Sequence, residues 1–112
     1  MEIQHTHSPS IVRVVPLGTR LDGRAAKALL TEGNAAIARS PLAIVFDLTD
    51  IRMIDSLGIA ALVSLANRAS GRVRVALCGL GENVEKLVTL THLHDLFDIY
   101  ADYRTAERQL SN

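Results

Sequence analysis

The chain has 112 residues, 48% of them hydrophobic, which is enough apolar material for one folded core and too little chain for two ordinary domains. Twelve basic residues balance twelve acidic ones, leaving no electrostatic footprint for nucleic acid, and with aromatics at 4% and no tryptophan the core must be aliphatic. No run reaches the ~20 apolar residues of a membrane span, and the polar start "MEIQHTHSPS" lacks the apolar stretch of a secretory leader, so a cytoplasmic protein without membrane insertion is expected.

A weak edge strand around Ile3 precedes "IVRVVPL", residues 11–17, whose short β-branched run predicts a strand. Asp22 then predicts the N-cap of a helix running to Arg39, with Ala26, Leu30, Gly33 and Ile37 on one stripe. Ser40 and Pro41 end it. The continuous apolar run "AIVFDL", 43–48, predicts a strand buried on both faces. A helix from Ser56 to Ala69 follows, stopped by Gly71. "VRVALC", 73–78, predicts the next buried strand; its Cys78 is the single cysteine, which excludes an internal disulfide and reads as a strand residue in an apolar setting. Val84, Leu87, Val88 and Thr91 predict a helix over 83–92, with Glu82 and Glu85 favourable near its start. "FDIY", 97–100, predicts a last short strand, and Tyr103, Ala106 and Leu110 a closing helix. This alternation predicts an α/β fold with a mostly parallel sheet.

On a wheel of ~100° per residue the helix from Ser56 places Ile59, Leu62, Val63, Leu65, Ala66 and Ala69 on one broad face against the sheet. The opposite face is polar in its second half but not in its first. There Leu57, Ala60 and Ala61 predict a small apolar patch beside Ser56, either covered by a loop or offered to a partner. Ser56 has three readings. Its hydroxyl can cap the helix, which spacing alone favours. As a nucleophile it would need a base, and D-S-L-G is no G-x-S-x-G elbow. As a phosphoacceptor it would set a dianion against the N–H groups and positive dipole end of a helix start.

Three weaker signals point to no chemistry. Asp47, Asp50 and Asp55 surround one strand–helix junction but lack the acidic pair and lysine of a receiver domain, so they read as loop carboxylates. "GLGE", 79–82, lacks the third glycine of a phosphate loop and reads as a turn into a helix. His5 and His7, and His92 and His94, are spaced i, i+2 with no cysteine beside them, so no metal site and no cofactor are expected.

The stretch "IVFDLTDIRMIDSLGIAALVSL" resembles the signature of STAS domains, most closely the bacterial anti-sigma factor antagonists: an apolar strand ending in Asp, a short loop with apolar-Asp-Ser-x-Gly, then an aliphatic helix. "LDGRAAKALL", "VRVALCGLGENVEKLV" and "LFDIYADYRTAERQL" extend the likeness over nearly the whole chain, so residues 1–112 are expected to form one STAS domain. The resemblance implies a single α/β domain with a four- to five-stranded, mostly parallel mixed sheet and helices on one side. It implies no catalysis. It implies a module that sequesters an anti-sigma factor serine kinase while Ser56 is unphosphorylated, with a phosphatase resetting the phosphorylated form. Ser56 matches the phosphorylated serine, Asp55 the acidic residue before it, Gly58 the motif glycine and Asp22 the first-helix acidic position near the partner-facing loop. Asp22, Asp55, Leu57, Gly58, Ala60 and Ala61 are therefore the expected partner-binding residues. Leu57 stands where the family usually has a small or hydroxylated residue, a change that bears on which partner fits. Two other functions compete: a STAS scaffold subunit of a transporter or stress-signalling assembly, and a small nucleotide hydrolase.

Overall fold

The computed structural model describes residues 2–5 and 10–111. Its strands and helices run β1 (Glu2–His5), β2 (Ile11–Val15), β3 (Arg20–Leu21), α1 (Gly23–Ala38), β4 (Ala43–Asp47), β5 (Met53–Ile54), α2 (Ser56–Ala69), β6 (Arg74–Cys78), α3 (Glu82–Leu90), β7 (Asp98–Tyr100) and α4 (Tyr103–Leu110), with a 3-10 turn at Leu93–Asp95. The main sheet has the order β1-β2-β4-β6-β7, parallel throughout except for β1, which pairs antiparallel with β2. The α/β class and the mixed, mostly parallel sheet are as expected. Among the described residues no helix is long and apolar enough to cross a membrane.

Every residue of β4 is buried, as its unbroken apolar run requires of a central strand. Its alternation feeds two cores. Ile44 and Phe46 join Val12, Val14 and Leu77 under α1, α2 and α3, while Ala43 and Val45 join Ile11, Ala76 and Cys78 under α4. The expectation of helices on one side is therefore corrected. Helices α1 to α3 cover one face and α4 covers the other, because Ala106 and Leu110, with Tyr100 and Tyr103 beside them, make an apolar stripe that only the second face can bury. Small residues at Ala43, Ala76 and Cys78 let that short helix sit close.

The edges of the expected elements shift by one or two residues. The third helix ends at Leu90, and His92 takes a left-handed φ of 59° before the 3-10 turn. Phe97 precedes β7 and packs edge-on against Phe46, ring centroids 6.0 Å apart. Gly79 opens the loop into α3 with φ +71°, and a Cβ there would collide with the Thr49 side chain, so this turn admits only glycine without rearrangement.

Candidate functional site

Two elements went unread in the sequence, and they organise the candidate site. Strands β3 and β5 are two residues each and pair parallel, Arg20 with Met53 and Leu21 with Ile54. The Thr19 carbonyl accepts from Arg52 N–H at 2.7 Å, and the Leu21 carbonyl accepts from Asp55 N–H at 3.2 Å. One residue beyond each strand stands an aspartate in extended conformation, and each caps a helix. Asp22 accepts from Ala25 N–H at 3.2 Å; Asp55 accepts from Leu57 N–H at 2.9 Å and Gly58 N–H at 3.0 Å. The in-step register thus brings the N-termini of α1 and α2 to one edge of the molecule.

Asp55, not Ser56, is the N-cap, which corrects the reading of Ser56 as a cap. Asp55 is held at the strand end by its own N–H, so its carboxylate reaches the first-turn donors and Ser56 becomes the first helical residue. Ser56 is exposed, and its hydroxyl makes no hydrogen bond among the described residues. Among the described residues no base is paired with it.

Of the other expected site residues, Asp22, Leu57 and Ala60 are exposed with Asp55, Leu57 at 58%. Leu57 lies against the start of α1: its Cδ1 is 3.0 Å from where a Cβ on Gly23 would be. Gly58 and Ala61 are buried, so neither is presented at the surface as the expected patch requires. A Cβ on Gly58 would run into the Leu21 carbonyl oxygen and lie 2.7 Å from Ile54 Cγ2. Gly58 is there because α2 starts in direct contact with the β3–β5 pair. Ala61 faces inward because α2 packs on both the sheet and α1, so more of its circumference is covered than a wheel against a sheet alone supposes.

Two exposed apolar residues take the place of Ala61 as candidates at this end. Met53, on β5, is 54% exposed, and Leu17, in the loop before β3, is 63% exposed. Leu17 helps line a shallow cleft of about 350 Å³ with Arg20, Asp22 and Arg24, and Met53 lines a smaller one of about 210 Å³ between β5 and α3. A signal for both was available, since Met53 stands two positions before the capping Asp55 and Leu17 five before the capping Asp22.

Asp47 ends β4 in a different setting. It is 3% exposed and accepts from Arg13 Nε at 3.0 Å and Nη2 at 2.6 Å, and from Thr49 N–H at 3.1 Å and Oγ1 at 2.5 Å. Burial pushes its carboxyl pKa up, but the hydrogen bonds from Thr49 and Arg13 outweigh it and hold it below the ordinary value of 3.8. The Arg13 guanidinium also lies 4.3 Å from the centre of the Tyr103 ring, tying α4 to the sheet. Beside it, burial first and the Asp47 charge second push the Cys78 thiol up to about 12, so that cysteine is the inert strand residue its apolar run suggested. Asp47, Asp50 and Asp55 do not gather into a cation site among the described residues; the one cluster of ligating side chains there is His92, His94 and Asp95. His7 lies outside the described residues.

A family model for the STAS domain matches residues 2–106. No characterised protein matches the chain by sequence. Among solved structures, an anti-sigma factor antagonist from Mycobacterium paratuberculosis superposes with a TM-score of 0.87 at 21% identity, covering 99% of this chain and 92% of its own. A putative anti-sigma factor antagonist from Thermotoga maritima gives 0.83 at 20% identity over 99% and 94% of the two chains. The Bacillus cell fate determinant SpoIIAA in its phosphorylated form gives 0.61 at 16% identity over 88% and 87%. At these identities the likeness is one of fold.

Proposed function

The chain belongs to the STAS domain family, and from that premise we propose that it is an anti-sigma factor antagonist, a binding module switched by phosphorylation of Ser56. Unmodified, it sequesters an anti-sigma factor that is also a serine kinase; phosphorylated, it releases that partner until a phosphatase restores it. It works in the cytoplasm and catalyses nothing itself. The observation that carries the reading is the state of Ser56: exposed at the first position of α2, its hydroxyl left free because Asp55 has taken the cap.

The physics of the switch follows from that cap. Two first-turn N–H groups are already bound to Asp55, so a phosphate on Ser56 competes with a carboxylate instead of meeting empty donors. It adds about −1.5 to −2 charge next to Asp55, at the edge where Leu57, Ala60 and Met53 offer apolar contact. A partner seated there must strip water from a dianion with no cation supplied by α2's first turn. Complex formation then fails without any refolding of the antagonist.

The reading is tested by incubating the purified chain with its cognate kinase and ATP and mapping the phosphate by peptide mass spectrometry. Modification of Ser56 alone is expected. Modification at Thr49 or Ser64 with Ser56 untouched overturns the assignment.

A further inference from the structure

We propose that His92, His94 and Asp95 bind a divalent transition ion of the zinc class at the turn between α3 and β7. One ligating atom from each of the three side chains lies within 4.8 Å of the others, and all three residues are exposed. Asp95 sits between the imidazoles, with Oδ2 3.5 Å from His92 Nδ1 and Oδ1 3.5 Å from His94 Nε2. Zinc bonds of about 2.0–2.1 Å make the edges of a tetrahedral site about 3.3–3.4 Å long. Each histidine nitrogen thus stands near that edge length from one of the two Asp95 oxygens, and side-chain rotation that turns a single oxygen toward both imidazoles, ring centroids 5.5 Å apart, brings the three donors to a shared ion.

The backbone holds this arrangement in place. His92 adopts φ 59°, its N–H donates to the Thr89 carbonyl at 3.2 Å, and its own carbonyl accepts from Asp95 N–H at 3.0 Å. Leu93, between the histidines, is fully buried, and its carbonyl accepts from Leu96 and Phe97 N–H at 2.9 and 3.1 Å. The three donors thus project from a turn anchored in the core on both sides. His92 also stands at the C-terminal end of α3, where the helix dipole favours a cation. Two imidazoles and one carboxylate suit Zn²⁺, Ni²⁺ or Cu²⁺ and not Mg²⁺ or Ca²⁺, which prefer all-oxygen sites. Three protein ligands leave a coordination position open, and His94 and Asp95 also line a cleft of about 350 Å³ with Asn67, Arg74 and Asp98.

The sequence pattern pointed to no metal site here, because the i, i+2 histidines have no cysteine beside them and the carboxylate partner went unread. They meet here because the helix has already ended at Leu90. Titration calorimetry of ZnCl₂ into the full chain tests it, with Co²⁺ absorption reporting the ligand type. One ion per chain is expected. His92→Ala and His94→Ala should each weaken binding at least about tenfold, with unchanged circular dichroism since both side chains are exposed. A His5→Gln, His7→Gln double variant should bind as the parent does, and MgCl₂ should give no signal. Binding that survives loss of His92 and His94, or that vanishes only with His5 and His7, overturns the proposal, as does the absence of zinc binding by the parent chain.

Discussion

Asp47 ends β4 and Asp55 directly follows β5, yet one is nearly inaccessible and the other lies open. Asp47 spends its oxygens on Arg13 and Thr49, and through Arg13 it connects to Tyr103 on α4. Asp55 spends one oxygen on two backbone N–H groups and thereby leaves its neighbour's hydroxyl unused. Identical chemistry therefore does two jobs. The buried carboxylate holds layers together; the exposed one arranges a surface without being needed for the core.

The largest effect expected at the exposed corner is on binding, not folding. Ser56→Asp and Leu57→Lys should each lower affinity for the proposed anti-sigma kinase by on the order of 100-fold, because an uncompensated charge in a desolvated contact costs several kcal/mol and each ~1.4 kcal/mol is tenfold. Their melting temperatures should stay close to that of the parent. Titration calorimetry with parallel thermal melts decides it, and unchanged binding by both variants places the partner elsewhere.

At the buried corner the expectation reverses. Asp47→Ala should cost about 3 kcal/mol in denaturant unfolding, the scale of stripping one partner from a buried ion pair. Because the folded pKa lies below 3.8, the carboxylate's contribution is fully present above that value and is lost as pH falls through the folded pKa. Stability curves of the parent and of Asp47→Asn should therefore converge on acidification. Parallel curves down to the acid transition would mean that Asp47 contributes nothing through its charge.

Gly58→Ala tests the link between α2 and the β3–β5 pair. Its new methyl meets a backbone carbonyl, so the helix start must shift, at about 1–3 kcal/mol. The smallest effects separate adjacent residues. Asp55→Ala should lose about 1 kcal/mol, the worth of a cap, while Ser56→Ala should stay within ~0.5 kcal/mol. Thermal melts of the pair measure this, and a larger loss at Ser56 would return the capping role to it.

The bounds of α2 were legible to the residue, since a polar pair opens it and Ser70 and Gly71 close it. Which of the pair caps was not. Aspartate and serine are equally good caps, and the choice was made by a hydrogen bond from Asp55 N–H to Leu21, far away in sequence. Strands β3 and β5 were invisible for a related reason: two residues carry no period. Ala61 was misplaced on the surface because a wheel knows the direction of one neighbour and α2 has two.

Local chemistry settled the alternation of strands and helices, the burial of 43–48, the cap at Asp22 and the D-S-L-G stretch at a helix start, because periodicity and capping act over a few residues. The second core under α4, the shared edge of the two helix N-termini, the free hydroxyl of Ser56 and the meeting of His92 with His94 were decided only when distant segments packed. Those features depend on pairing register and on where each helix stops, and both are set by contacts between segments remote in the chain.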